Sequence, residues 1–79
     1  NGNISVYPTA VEDELFINLK DNDGANVTVT VYNMMGQALK NINLASGVRS
    51  VHLNSLSTGC YIVKIQCESE VASFRVVKK

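Results

Sequence analysis

Apolar and polar residues alternate along most of this chain with a period of two residues. The clearest case runs from Val27 to Val31, where valine occupies every second position and threonine lies between. Successive side chains of a β-strand point to opposite faces of its sheet, so the pattern predicts strands with one buried and one wetter face. No segment of the sequence shows the period of an amphipathic helix.

Turn residues interrupt this alternation about every 8 to 12 positions, as they do in β-sandwiches and barrels. We therefore predict seven strands, at residues 4–7, 14–19, 26–33, 37–44, 48–53, 60–67 and 71–78. Leu39 and Ile42 are three residues apart, which predicts a β-bulge or a change of facing in the fourth strand. The predicted fold is an all-β, seven-stranded antiparallel Greek-key β-sandwich that resembles immunoglobulin-type modules.

Length and composition then narrow the classes of function. The 79 residues provide room for a single domain over residues 1–79, and 46% hydrophobic with 18% charged residues is typical of a folded chain. Seven basic residues balance seven acidic ones, and aromatic residues are few, so nucleic acid is not an expected partner. No apolar run approaches the roughly 20 residues that span a bilayer, and no signal-peptide pattern occurs. Because the chain starts at Asn1, we expect it to be a piece of a longer protein.

The two cysteines, Cys60 and Cys67, are predicted to be free thiols. They lie in one apolar strand, where seven steps of about 3.3 Å place them roughly 23 Å apart, well beyond the span of a disulfide. Their odd separation also places them on opposite faces of the sheet. Neither a second cysteine pair nor a histidine stands at the spacing of zinc ligands.

Few residues suggest catalysis. The single histidine, His52, lies between two apolar residues of a predicted strand, so we expect it on the sheet surface. The acidic residues 12–14, and the pair Asp21 and Asp23, could supply oxygen ligands for calcium, but neither group has the spacing of a calcium loop. A Gly-rich phosphate loop is absent from the sequence. We predict that the domain is not an enzyme and uses no metal or cofactor.

Five short patterns occur in an order that resembles the type A C-terminal sorting domain of type IX secretion, also called Por secretion. They are Val6-Tyr7-Pro8, a Leu15-x-Ile17 strand, the segment from Val29 to Gln37, the segment from Leu53 to Ile65, and a last strand that ends in lysine. The resemblance extends over essentially all of the chain. It departs from the family pattern after Pro8, where Thr9-Ala10 replaces the usual Asn-Pro.

This resemblance implies a secretion signal at the C-terminus of a larger protein from a Gram-negative bacterium. It implies that an outer-membrane translocon recognises the folded domain after the fused N-terminal passenger has reached the periplasm. It also implies that a cell-surface sortase-like protease then removes the domain and links the passenger to an anionic lipopolysaccharide. The residues that correspond to recognition features are Tyr7, Pro8, Tyr32, Asn33, Met34, Met35, Gly36, Gln37, Gly59, Tyr61, Lys78 and Lys79.

Several of these residues have a second interpretation. Gly36 and Gly59 suit turns in any case, because glycine accepts backbone angles that other residues avoid. Met34 and Met35 could form a soft binding surface, or the turn could place one of them under the sheet. The terminal lysines could equally be a solvated tail.

Two further expectations depend on which surfaces are exposed. If the last strand lies at a sheet edge, it could pair with a partner or with a second copy of the domain to form a homodimer. The alternative function is an accessory adhesion or carbohydrate-binding module of a surface protein. That function would need an exposed aromatic platform, whereas the aromatic residues here lie on separate predicted strands.

Overall fold

The computed structural model describes residues 4–19, 26–45, 47–67 and 70–79. Eight β-strands occur within these ranges. They are β1 (Ile4–Tyr7), β2 (Ala10–Val11), β3 (Glu14–Leu19), β4 (Val27–Tyr32), β5 (Ala38–Leu44), β6 (Ser50–His52), β7 (Gly59–Cys67) and β8 (Glu70–Lys78). Within the described ranges there is no helix long and apolar enough to cross a membrane.

The strands form two sheets. One has three strands in the order β1-β3-β6, and the other has five in the order β2-β8-β7-β4-β5. Every pair of neighbours is antiparallel except β2, which runs parallel to the end of β8. Buried residues of both sheets belong to one apolar cluster, so the sheets are the two layers of a sandwich around a shared core.

The core follows the two-residue alternation of the sequence. In β3 and β4 the apolar residue at every second position is buried, and β7 buries Tyr61, Val63, Ile65 and Cys67 in the same way. β-Branched side chains suit this pleated, half-buried surface. Full burial of one such apolar side chain contributes about 1.5–3 kcal/mol relative to its exposure. The alternation therefore decides which face of each strand is inside.

The prediction of seven antiparallel strands is wrong in one respect. An additional strand, β2, consists of only two residues and pairs in parallel with Val77 and Lys78 of β8. Two residues are too few to show an alternation, and their pairing depends on backbone hydrogen bonds with a segment far along the chain. The fifth predicted strand, residues 48–53, is also shorter than predicted, since the corresponding β6 comprises only Ser50–His52. The immunoglobulin-like Greek-key assignment stays a prediction.

The irregularity predicted for the fourth predicted strand, which is β5 in the structure, is confirmed. Val31 pairs with Lys40, whereas the next residue, Tyr32, pairs with Ala38. Leu39 is therefore an extra residue on β5, as in a β-bulge. The bulge interrupts the alternation of side chains between the two faces of β5 at Leu39.

Both cysteine predictions are also confirmed. Cys60 is exposed, Cys67 is buried, and neither forms a disulfide. Some predicted loop residues lie outside the described residues, namely residues 20–24 with Asp21 and Asp23, Ser46, Glu68 and Ser69.

Candidate functional site

Most of the predicted recognition residues lie at one end of the sandwich. At this end β4 finishes at Tyr32, β7 begins at Gly59, and β8 finishes at Lys78, which pairs with Gly59. β2 pairs with the same end of β8, so Pro8, which is two residues ahead of β2, lies at this end as well. We call this region the convergent end, and it comprises Tyr7, Pro8, residues 33–37, Gly59 and the C-terminal lysines.

The β4–β5 turn at the convergent end is organised by Asn33. Its Oδ1 accepts hydrogen bonds from the backbone N–H groups of Met35, at 2.9 Å, and Gln37, at 3.0 Å. Its Nδ2 donates to Oε1 of Gln37 at 2.9 Å. The Asn33 backbone N–H in turn donates to the Gln37 carbonyl at 3.0 Å. Asn33 and Gln37 therefore set the shape of the turn.

The tip of this turn presents both methionines to solvent. Met34 is 54% exposed and Met35 is 84% exposed, so neither lies under the sheet. Gly36 follows with φ of +87°, a left-handed conformation that residues with a Cβ rarely adopt. The exposed methionines thus stand on a turn whose conformation is fixed by Asn33 and Gly36, and they are available for contact with a partner.

Tyr61 lies in the core rather than on the surface. It is 8% exposed, and its hydroxyl donates a hydrogen bond to the Ser57 carbonyl at 2.6 Å. A tyrosine at the start of a strand that bonds back to the preceding connection is the arrangement known as a tyrosine corner. Tyr61 therefore holds the β6–β7 connection in place, and Gly59 begins β7 with φ of +155°.

The C-terminal residues are held by the segment that joins β1 to β3. The Val77 N–H donates to the Thr9 carbonyl at 2.7 Å, and the Lys79 N–H donates to the Val11 carbonyl at 2.8 Å. Lys78 is only 7% exposed, and its Nζ donates to the Lys79 carbonyl at 3.1 Å. Of the two predicted lysines, Lys79 is the one that the convergent end presents to solvent.

The structure brings together two aromatic rings that the sequence placed on separate strands. Tyr7 pairs with Phe16 across β1 and β3, and their rings are stacked with centroids 5.5 Å apart. Tyr7 is 54% exposed and Phe16 is 38% exposed. The register of β1 on β3 places these two rings side by side on the outer face of the three-stranded sheet. Phe16 is therefore a candidate residue that the sequence did not reveal.

An open cleft of about 510 Å³ adjoins this aromatic pair. It is lined by Pro8, Ala10, Glu12, Asp13, Glu14, Phe16 and Lys79. His52 stands on the neighbouring surface, with Nδ1 3.6 Å from Oδ1 of Asp13, and both side chains are largely exposed. His52 is thus a surface residue, as predicted. Within the described part of the chain, no three His, Cys, Asp or Glu side chains are placed to hold a metal ion.

The chain is similar to a known family of protein domains. The family model of the secretion system C-terminal sorting domain matches residues 5–79, which include nearly all of both sheets and the whole convergent end. No curated protein sequence matches the chain. Because the family model covers almost the entire chain, from Ser5 in β1 to Lys79, this chain belongs to the C-terminal sorting domain family of type IX secretion.

Proposed function

We propose that the outer-membrane translocon of type IX secretion recognises this folded domain at its convergent end. Membership of the sorting-domain family supports a role as a secretion signal. The main structural support comes from one end of the sandwich. There the β4–β5 turn with its two exposed methionines, Gly59 and the C-terminal residues lie together. A partner that contacts this end can touch several segments of the sequence at once, and it would do so only when the domain is folded.

The position of β1 supports recognition at the convergent end. Ile4 pairs with Leu19, at the end of the sandwich opposite to the convergent end. A passenger attached ahead of Ile4 would leave the domain from that opposite end. The convergent end would then stay open to the translocon while the passenger is still attached.

The later steps that we propose follow from the role of a signal. The domain, comprising residues 1–79, would travel with its passenger through the periplasm and the outer membrane to the cell surface of a Gram-negative bacterium. A sortase-like protease at the surface would then cut the chain ahead of the domain and anchor the passenger. The domain would catalyse none of these steps. The family match gives no support to an adhesion or carbohydrate-binding module.

Two structural proposals accompany this function. The tyrosine corner formed by Tyr61 and Ser57 supports an immunoglobulin-like sandwich. β2 pairs with β8 only at Val77 and Lys78, so the rest of β8 is an outer edge of the five-stranded sheet in the described part of the chain. A second copy could pair along that edge to form a homodimer, which sedimentation at several protein concentrations would detect.

The function can be tested with a fusion of this chain to an inert periplasmic reporter, in a host that has type IX secretion. We expect the reporter to reach the cell surface, and the double variant Met34→Ser/Met35→Ser to lower the delivered fraction. The matched control is Val71→Ser, which changes an exposed apolar residue on β8 near the opposite end. A wild-type fusion that remains in the periplasm would contradict the sorting role. Equal loss in the methionine variant and the control would contradict recognition at the convergent end.

A further inference from the structure

We propose that the Tyr7–Phe16 pair and the adjoining acidic cleft bind an arginine side chain of a protein partner in the export machinery. This inference rests on the proposed function and adds to it the chemistry of the partner. It also adds Phe16 and Glu14 to the residues that recognise that partner.

The aromatic pair is the first part of the evidence. Tyr7 and Phe16 occupy facing positions on β1 and β3, with ring planes 20° apart, and both expose a large apolar area. The neighbouring residues Leu15 and Ile17 are buried, so the alternation of β3 commits Phe16 to the outer surface. Exposed aromatic rings that form a patch, rather than occurring singly, mark interaction sites.

The charge of the cleft is the second part of the evidence. Three consecutive carboxylates, those of Glu12, Asp13 and Glu14, line it, and Lys79 is the one cation among the lining residues. Glu12 and Asp13 are exposed and Glu14 is half-buried. The histidine His52, beside Asp13, is a further titratable group on this surface. The carboxylates outnumber the ammonium group, so the cleft complements a positively charged ligand.

Geometry favours arginine over lysine as that ligand. Glu14 and Phe16 are two residues apart on β3, so their side chains leave the same face of the sheet about 6.6 Å apart. A guanidinium group is planar and can stack on an aromatic ring while its N–H groups bond to a carboxylate. An ammonium group is compact and strongly hydrated, and it lacks the planar surface for stacking. One arginine side chain can therefore contact Phe16 and Glu14 together.

The first test is an NMR titration of the 79-residue chain with a blocked Gly-Arg-Gly peptide and with its Gly-Lys-Gly counterpart. We expect the arginine peptide to shift the amide signals of Glu14 and Phe16, and to bind more tightly than the lysine peptide. Phe16→Ser and Glu14→Gln should each weaken binding by about fivefold or more. Asn18→Ser is the matched control, because Asn18 is exposed on the same face of β3 but lies toward the opposite end.

Three results of this titration would overturn the inference. Equal binding of the two peptides would show that the site recognises a positive charge but does not prefer arginine to lysine. Shifts caused by a neutral oligosaccharide but not by the arginine peptide would identify a sugar site. Shifts of the same amides on concentrating the protein without peptide would show that the surface binds a second copy of the chain.

The second test introduces Phe16→Ser and Asn18→Ser into the reporter fusion, after amide spectra have shown that both variants are folded. We expect Phe16→Ser to lower the surface-delivered fraction by about fivefold or more, and Asn18→Ser to leave it unchanged. If the wild-type fusion reaches the surface and Phe16→Ser does so equally well, this inference is wrong while the proposed function stands. If the wild-type fusion itself stays in the periplasm, both are wrong.

Discussion

Replacing Tyr61 by phenylalanine removes one hydroxyl group and leaves the aromatic ring in the core. The hydroxyl donates a 2.6 Å hydrogen bond to the Ser57 carbonyl, and that bond ties β7 to the connection that precedes it. Ser57 is exposed, so its carbonyl can bond to water in the variant. We therefore expect a loss of about 1 kcal/mol in the free energy of unfolding. This is the net contribution of one hydrogen bond whose acceptor can bond to water after the donor is removed.

Thermal unfolding followed by circular dichroism measures this change. For a domain of this size, a loss of about 1 kcal/mol lowers Tm by roughly 4–8 °C. The matched control is Tyr7→Phe, because the Tyr7 ring is exposed on the outer face of β1. The control should change the free energy of unfolding by less than about 0.5 kcal/mol.

The same variant separates a structural role of Tyr61 from a role in recognition. Because the hydroxyl is bonded within the domain, Tyr61→Phe should be exported like the wild-type fusion at temperatures well below its Tm. A variant that retains the wild-type Tm and yet loses export would refute this reasoning, since the hydroxyl would then contact the translocon directly. An unchanged Tm with normal export would show that the hydrogen bond contributes nothing measurable.

Three other predictions follow from the convergent end and from β7. Gly36→Ala should lower the free energy of unfolding in urea by about 1–2 kcal/mol through backbone strain alone, because the added Cβ would meet no residue within 4 Å apart from its two chain neighbours. Unchanged stability would contradict the left-handed turn. Lys79→Pro should be less stable than Lys79→Ala by about 1 kcal/mol, because only proline removes the N–H that bonds to Val11; equal stabilities would contradict that pairing. In the native protein a thiol reagent should label Cys60 and spare Cys67 until urea is added, as peptide mass mapping can show, and equal labelling would contradict the burial of Cys67.

Much of the fold is determined by local features of the sequence. The two-residue alternation in β3, β4 and β7 identifies their buried faces, and the odd spacing of Cys60 and Cys67 places them on opposite faces. The interruption between Leu39 and Ile42 indicates the bulge in β5. These features can be predicted because the pleat of a strand is a property of consecutive residues. Each apolar side chain that is buried on the inner face also stabilises the fold by itself.

The candidate site is different, because it depends on contacts between distant parts of the chain. The sequence alone places Tyr7 and Phe16 on separate strands, and it leaves open whether Lys78 and Lys79 are a recognition feature or a solvated tail. Only the register of β1 on β3 stacks the two rings, and only the pairing of β2 with β8 holds the end of the chain and buries Lys78. Those pairings depend on backbone hydrogen bonds, which any residue except proline can donate, so they leave no pattern of side chains from which they could be predicted.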